Sequence, residues 1–376
     1  MADVTLLRTG HQQPSWSDIP LDLAGMVLRL LPAYADRARF ASVCPQWRAA
    51  ARQLPLPPPL PLLALPYGTF FSLPYSKTFH FPGRRCAGYK TAACGKWLVF
   101  PRDNGRFLFD PFVGSIVMLP ALSRVRLRPP NAVAKYVHDE VRNMTIAEPF
   151  SWMHLKEGEK VLTISKLIVC SPNLVAAFVG KNPVSQILVC QPGASSWSVR
   201  ANDKVNMFQD MAFYQGKLYA LAVDENLLVV NFGQDPSTGD PQVSRIGHVI
   251  KGDPWYTVVF PDNTMGKKKL YLVESCGMLL MVRRKVWCIV KEDRVMAMTG
   301  ENDFEVFKAD FEHSRWYGMP GDRIFFLDDQ LEDFKEYAYD EDRTSVGVYN
   351  MKTREVSFPL PMVWNHEMIS VTWLFP

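Results

Sequence analysis

The feature that most constrains the fold is a repeated pair of short apolar segments in residues 67–376. Alternating runs separated by Gly, Pro, Asn and Asp are typical of antiparallel strands. One half of the repeat is an apolar run that begins with glycine or a basic residue, as in residues 95–100, 216–221, 269–273 and 321–327. The other half is a strand, a polar turn and a second strand, as in residues 107–119, 187–199, 228–246, 304–317 and 346–358.

The spacing of these hairpins favours a β-propeller over a β-sandwich. Successive hairpins begin 80, 41, 76 and 42 residues apart, and one four-stranded blade takes ~40 to 50 residues. We therefore predict about five to seven blades. An open ring would leave a strand edge unprotected. Residues 70–81 are therefore expected to pair with C-terminal residues 370–375 and close the ring.

Residues 16–53 follow a helical pattern instead. The first predicted helix carries six aliphatic residues, which are Leu21, Leu23, Val27, Leu28, Leu30 and Leu31. Pro32 lacks a backbone donor and should end this helix, and two short helices follow at 33–43 and 45–52. Such small helices cannot cover all of that aliphatic surface. Part of it is expected to contact the rest of the chain or another protein.

The order and spacing of these residues resemble an F-box. The matching positions are Ile19-Pro20-x-Asp22-Leu23, Val27-Leu28, Leu31-Pro32, Ser42-Val43-Cys44 and Trp47-Arg48. The resemblance implies docking on the SKP-type adaptor of an SKP-cullin-F-box ubiquitin ligase and, through it, on cullin. Carried over residue by residue, the adaptor-binding side chains would be Ile19, Pro20, Leu23, Val27, Leu28, Leu31, Pro32, Val43, Cys44 and Trp47. Phe40 is expected to hold the helices together, and the alternative is that the helices only cap the main domain.

A second resemblance lies in the β-rich region. Residues 272–283, 304–316 and 321–327 resemble the C-terminal domain of unknown function that is typical of plant F-box proteins. This resemblance implies a fold and says little about a ligand. The predicted fold class is therefore mainly β with a small N-terminal α domain, a three-helix F-box followed by a β-propeller-like domain.

These patterns divide the chain into four predicted segments. They are a flexible tail at 1–14, the F-box at 15–54, a proline-rich linker at 55–66 and a β-propeller-like substrate-recognition domain at 67–376. Dense prolines favour an extended, stiff path. The leucines between the prolines suggest that the linker lies against the propeller and fixes how the helices are held relative to it.

Composition points to a cytoplasmic and/or nuclear protein. The net charge is +4 on 80 charged side chains, which demands neither nucleic acid nor membrane as a partner. The seven cysteines are scattered without a CxxC pair, so buried reduced thiols are expected. The N-terminus lacks an apolar segment of secretory length. Residues 54–76 are uncharged but contain seven prolines and cannot form a spanning helix.

No constellation predicts catalysis, a cofactor or a metal site. The acidic stretch 328–342 lacks the order of ligands of an EF-hand and is expected to be a solvated loop. Three short basic runs, at 124–128, 267–269 and 283–285, have no aromatic residues in a common nucleic-acid-binding module. The histidines never occur at metal-binding spacing, and no nucleophile elbow or phosphate loop is present.

Three functions remain open at this point. The first is a non-catalytic ligase subunit that holds an unknown protein substrate on its propeller. The second is a propeller enzyme acting on sugars, which predicts two inward carboxylates about 5 to 10 Å apart in the central channel. The third is an F-box scaffold protein that delivers nothing for degradation.

Overall fold

A computed structural model of the protein describes both predicted regions. The described residues are 16–56, 59–65, 68–72, 77–81, 83–84, 86–102, 105–128, 135–139, 144–148, 164–181, 184–200, 208–252, 264–291, 294–328, 345–357 and 372–374. The predicted tail lies outside them, as does the acidic stretch apart from Asp328. Within the described part, three helices are followed by strands, and the predicted fold class is confirmed.

Three short helices form the N-terminal unit. After a 3-10 turn at Trp16–Asp18, they are α1 (Leu21–Arg29), α2 (Tyr34–Val43) and α3 (Pro45–Gln53). Pro20 is the N-cap residue of α1, and its side chain makes no capping hydrogen bond. The Cys44 sulfur accepts a hydrogen bond from the Trp47 backbone N–H at 3.4 Å, which satisfies a free donor in the first turn of α3.

The helices share a small apolar core. Ala24, Leu28, Phe40 and Ala50 are buried in it. The Phe40 ring stacks on the Trp47 ring with centroids 4.3 Å apart, and such pairs stabilise beyond the area they bury. Phe40 therefore lies inside the bundle and holds α2 against α3.

The described residues after the helices contain 26 strands. The first ten are β1 (Leu62–Ala64), β2 (Phe70–Ser72), β3 (Lys77–Phe79), β4 (Lys90–Cys94), β5 (Trp97–Arg102), β6 (Gly105–Phe109), β7 (Ile116–Pro120), β8 (Val125–Arg128), β9 (Lys135–Asp139) and β10 (Met144–Glu148). The next eight are β11 (Ile164–Ser171), β12 (Leu174–Lys181), β13 (Val184–Cys190), β14 (Trp197–Arg200), β15 (Phe208–Tyr214), β16 (Lys217–Ala222), β17 (Leu227–Gln234) and β18 (Pro241–Ile250). The last eight are β19 (Thr264–Ser275), β20 (Met278–Lys291), β21 (Arg294–Asp310), β22 (Arg315–Met319), β23 (Arg323–Asp328), β24 (Ser345–Asn350), β25 (Glu355–Ser357) and β26 (Thr372–Leu374).

Six sheets in the described residues have the strand order of propeller blades. Blade 1 is β26-β1-β2-β3, blade 2 is β4 to β7, blade 3 is β11 to β14 with β8 added, blade 4 is β15 to β18, blade 5 is β19 to β22 and blade 6 is β23 to β25. β8 pairs parallel with β14, and β9 with β10 forms a separate two-stranded ribbon. Six blades lie within the predicted range.

Successive blades pack face to face around a ring. The innermost strands β26, β4, β11, β15 and β19 follow one another in space. The five pairs of consecutive blades from blade 1 to blade 6 each share an apolar cluster, represented by Phe70 and Leu98, Leu108 and Trp197, Val189 and Met211, Leu221 and Leu279, and Phe304 and Phe326. The cores therefore lie between the blades, so consecutive side chains of a strand such as β16 are buried on both faces of the sheet.

The C-terminal strand pairs with a different segment from the one predicted to close the ring. The C-terminal strand β26 joins blade 1, but it pairs with Leu62–Ala64, and β1 in turn pairs with Phe70–Ser72. The direct pairing of 370–375 with 70–81 is therefore wrong. Part of the segment predicted as linker forms β1, because its prolines end at Pro61 and resume at Pro66. The four residues between them are buried and apolar and can donate backbone hydrogen bonds.

One turn recurs at the outer hairpin of four blades. Its first residue is an Asp or Asn whose side chain accepts backbone N–H bonds from residues two or three further on, as at Asp110, Asp235, Asp310 and Asn350. The residue four positions later has a positive φ, which is 82° at Gly114, 71° at Gly239, 50° at Ser314 and 60° at Arg354. This turn chemistry sets the register of each hairpin.

Candidate functional site

An exposed apolar stripe on α1 is the leading candidate site. Leu23, Met26, Val27 and Leu30 follow the spacing i, i+3, i+4, i+7, which places them on one helix face. Their exposed fractions are 48%, 61%, 43% and 80%. Exposed side chains of this size in one contiguous patch mark an interaction surface. None of the described residues of this chain covers the stripe.

The same helix carries a second apolar stripe that is covered. Ala24 and Leu28 are 3% and 0% exposed, and the partly buried Leu31 packs against the same helical core. The helix is thus apolar over two adjacent faces, and the three-helix core accounts for only one of them. Asp22 and Arg29 lie on its remaining polar side.

The structure sorts the predicted adaptor-binding residues by exposure. The exposed ones are Pro20, Leu23, Val27, Pro32 and Val43. The half-buried ones are Ile19, Leu31, Cys44 and Trp47. Leu28 is fully buried and cannot contact a partner, so it is corrected from a docking residue to a core residue.

Two residues of the stripe are not among the adaptor-binding residues implied by the resemblance to an F-box. Met26 and Leu30 do not belong to the positions that resemble an F-box, yet they are more exposed than Leu23 or Val27. Their spacing from Leu23 was the available signal. Spacing alone does not say which of two neighbouring apolar faces the bundle covers.

The helical unit contacts the propeller through Tyr34. The Tyr34 ring lies 4.7 Å from the Phe112 ring and 6.2 Å from the Phe81 ring, centroid to centroid. Burial raises the pKa of the Tyr34 hydroxyl, Asp110 raises it further and Arg84 opposes the shift. The hydroxyl is therefore neutral at physiological pH. The aromatic contact places the helices beside the outer strands β3 and β7.

An ion pair connects three innermost strands. Lys166 Nζ lies 2.8 Å from Asp210 Oδ1, and Asp210 Oδ2 accepts the Leu272 backbone N–H at 2.7 Å. Oδ1 also accepts the Met211 backbone N–H at 2.8 Å. This carboxylate is thus occupied by one lysine and two backbone donors, which is the environment of a structural group.

The basic runs of the sequence contribute ion pairs between blades. Arg128 of blade 3 lies 2.7 Å from Asp235 of blade 4. Lys268 of blade 5 lies 3.0 Å from Glu225 of blade 4, and Arg283 bonds the same carboxylate at 2.9 Å. Glu225 is only 1% exposed, so these cations compensate a buried charge.

Among the described residues, five cysteines are unpaired by disulfides. These free thiols lie at 44, 86, 170, 190 and 276, and Cys276 is exposed at a turn. In this part of the chain no group of three His, Cys, Asp or Glu side chains is placed to hold a metal ion. No helix among the same residues is long and apolar enough to cross a bilayer.

Comparison with known proteins agrees with this architecture. A three-helix unit with an uncovered apolar stripe, joined to a series of three- to five-stranded blades, is the architecture of an F-box protein with a propeller. Residues 16–58 match the F-box domain and residues 62–350 match the KIB1-4 beta-propeller. The chain belongs to the KIB1-4 beta-propeller family and carries an F-box.

Individual relatives are distant. The chain is 22% identical over 362 residues to the F-box protein SKIP23 of Arabidopsis thaliana, a match that covers 90% of this chain and 76% of that protein. A solved structure from Lactobacillus plantarum gives a TM-score of 0.32 at 10% identity, over 84% of this chain and 99% of that one. The extracellular domain of a putative one-component system from B. thetaiotaomicron gives 0.23 at 10% identity, over 79% of this chain and 58% of that domain. Scores this low support no functional inference.

Proposed function

We propose that this chain is the non-catalytic substrate-recognition subunit of an SKP-cullin-F-box ubiquitin ligase. Its helices bind the SKP-type adaptor, which connects it to cullin, and its propeller binds a protein substrate. The observation that carries the proposal is the α1 stripe, which stays exposed although the propeller is part of the same chain. A stable soluble protein keeps such a patch when another polypeptide covers it.

The docking surface in this proposal combines predicted and newly found residues. From the prediction it keeps the exposed and half-buried positions Ile19, Pro20, Leu23, Val27, Leu31, Pro32, Val43, Cys44 and Trp47. Met26 and Leu30 are added because they lie on the same face as Leu23 and Val27. Burying a large aliphatic side chain stabilises a complex by about 1.5–3 kcal/mol, and central apolar residues carry most of the energy of such interfaces.

The remaining parts of the chain have complementary roles in the proposal. Residues 15–54 act as the adaptor module, the proline-rich segment from Pro55 to Pro61 is the connector, and the propeller, which β1 extends to Leu62, is the recognition module. The ligase's other subunits carry out ubiquitin transfer. Holding a substrate lysine near the charged carrier raises its effective concentration. The protein acts in the cytoplasm and/or nucleus, where its free thiols stay reduced.

The test is adaptor binding by charge-insertion variants of the full chain. Leu30→Asp and Leu23→Asp place an unpaired charge in the apolar contact, at a cost of roughly 3–5 kcal/mol, which corresponds to at least ~100-fold weaker binding. Leu30 is a better position for this test than Leu31, because Leu31 also packs against the helical core and its replacement would disturb that core. Calorimetric titration with purified SKP-type adaptor measures the change in Kd.

A matched control separates a local effect from unfolding. Tyr317 is 57% exposed on β22 of blade 5, so Tyr317→Asp also replaces an exposed large side chain with a charge. The control is expected to bind the adaptor like the wild type. If both α1 variants bind the adaptor with the Kd of the wild type, the proposed surface is wrong. If the wild-type chain does not bind the adaptor, the proposed function is wrong.

A further inference from the structure

The contact between the helices and the propeller is concentrated at one end of α2. Tyr34 is the first residue of α2, and its ring meets Phe112 edge to face at 4.7 Å. Phe112 in turn meets Phe81 at 5.2 Å. Phe81 follows strand β3 and Phe112 follows β6, so this one side chain contacts both blade 1 and blade 2.

The socket that receives Tyr34 is held by hydrogen bonds and an ion pair at Asp110. Asp110 is 0% exposed, and its Oδ1 accepts the backbone N–H groups of Phe112 at 2.9 Å and Val113 at 3.2 Å. Its other oxygen lies 2.8 Å from Lys96 Nζ. Gly114 has a φ of 82°, and the Arg84 guanidinium occupies the space where a Cβ would stand. The turn that presents Phe112 is thus fixed from several directions.

A second attachment lies next to Tyr34 in the chain. The Leu60 backbone N–H donates to the Pro32 carbonyl at 2.9 Å, and Leu60 forms a parallel bridge with Ala33. Leu60 lies two residues before β1 of blade 1. Consecutive residues 32–34 are therefore held on one side by backbone bonds and on the other by an aromatic socket. Two attachments prevent the rotation that one would allow.

We propose that Tyr34 is a positioning residue that locks the helical unit at a fixed angle to the propeller, so that the adaptor-docking stripe on α1 has one orientation relative to the recognition module. This inference rests on the proposed function for its purpose, but its geometry is independent of the adaptor. Tyr34 points away from the helical core formed by Phe40 and Trp47 and contributes its ring to the propeller. A fixed angle keeps a bound substrate at a constant distance from the adaptor.

The alternative to a fixed angle is a flexible connection between the helical unit and the propeller. Without the ring contact, the helices would be joined to blade 1 by the eight residues 54–61 and, among the described contacts, by the bridge at Leu60. A flexible chain of this length spreads over about 15 Å, and the prolines reduce that figure. Such a spread would lower the effective concentration of a substrate lysine at the ligase's active site.

The experiment compares Tyr34→Ala with Tyr34→Phe in the full chain, free and bound to the adaptor. Spin labels are placed at Arg39→Cys on α2 and Lys352→Cys on blade 6, whose native side chains are 79% and 74% exposed. The exposed Cys276 is replaced by serine in every variant. Pulsed electron resonance then gives the distribution of distances between the two labels.

A lock predicts a narrow distribution in the wild type and in Tyr34→Phe, which retains the ring. Tyr34→Ala is expected to broaden the distribution while its Kd for the adaptor stays within about threefold of wild type. Rescue by phenylalanine separates positioning by the ring from any role of the hydroxyl. A distribution in Tyr34→Ala as narrow as in the wild type would overturn the inference, as would a broad one in Tyr34→Phe.

The two proposals fail in distinguishable ways. If the wild type does not bind the adaptor, the proposed function fails, yet the label distances in the free chain still test the lock. If Tyr34→Ala loses adaptor binding and Tyr34→Phe does not, the ring belongs to the folding or docking of the helices. In that case the positioning role is wrong while the ligase function stands.

Discussion

Replacing Asp210 tests whether the ion pair among the innermost strands stabilises the ring. Asp210 is 7% exposed and belongs to β15 of blade 4. Its partners lie on both neighbouring blades: Lys166 on β11 and the Leu272 N–H on β19. Asp210→Ala removes all of these contacts with little change in backbone preference within the strand.

Two of these contacts, to Lys166 and to the Leu272 N–H, set a lower bound on the expected loss of stability. The charge-assisted bond to Lys166 is worth roughly 1.5–3 kcal/mol, and the lower end applies because the lysine side chain is 33% exposed. The Leu272 N–H loses its acceptor in a residue that is 1% exposed, which costs a further 1–3 kcal/mol or so. We therefore expect a loss of about 3 kcal/mol in the free energy of unfolding, or ~4–8 °C in Tm.

Thermal and urea unfolding of Asp210→Ala, Lys166→Met and the double variant measure this loss. The double variant should be destabilised by less than the sum of the two single variants, because both remove the same bond. Asp322→Ala is the control, since it breaks an ion pair whose side chains are 76% and 74% exposed, and its Tm should match the wild type. An Asp210→Ala variant as stable as this control, or strictly additive single variants, would refute the reasoning.

Two further predictions concern the recurring turn. Arg354→Gly should stabilise the protein by about 0.5–1 kcal/mol in urea unfolding, because Arg354 holds a φ of 60° that glycine adopts without strain. Gly239→Ala, at a φ of 71°, should lower the free energy of unfolding by a similar amount. Changes of the opposite sign in the two variants would contradict this account. The second prediction concerns acid: the Ser237 hydroxyl and N–H, the Thr238 N–H and Arg128 lower the pKa of Asp235 to about 2. Because this pKa lies below that of the unfolded chain, the stabilisation is complete above about pH 5 and is lost progressively as the pH falls toward 2. The Tm advantage of the wild type over Asp235→Asn should therefore shrink between pH 5 and pH 3, and a constant difference would count against it.

Hairpin spacing and polar turns were sufficient to predict the propeller. The predicted hairpins all occur as paired strands, since alternation and a turn residue are local properties of the chain. The Asp or Asn that begins the outer turn repeats at Asp110, Asp235, Asp310 and Asn350. The residue with positive φ four positions later is recognisable in the sequence only where it is glycine, as at Gly114 and Gly239, because Ser314 and Arg354 give no such signal.

The partner of a distant strand was less predictable. β1 pairs with β26 across some three hundred positions of sequence, and its three residues lie between prolines that favour an extended connector. β1 is recognisable as a strand only in the folded chain, where it pairs with β2 and β26, because backbone pairing between distant segments leaves no local sequence pattern. The same limit applies to Lys166, Asp210 and Leu272, which come from three different blades.

The sequence of the opening helices settled that two apolar faces exist on α1, and tertiary packing decided which one remains free. Periodicity counts apolar residues around a helix but contains no information on what lies opposite each of them. Packing against α2 and α3 buried Leu28 and left Leu30 in solvent. Likewise, Tyr34 reads as an ordinary helix residue until blades 1 and 2 bring Phe81 and Phe112 together around it, because a socket made of distant segments exists only in the folded chain.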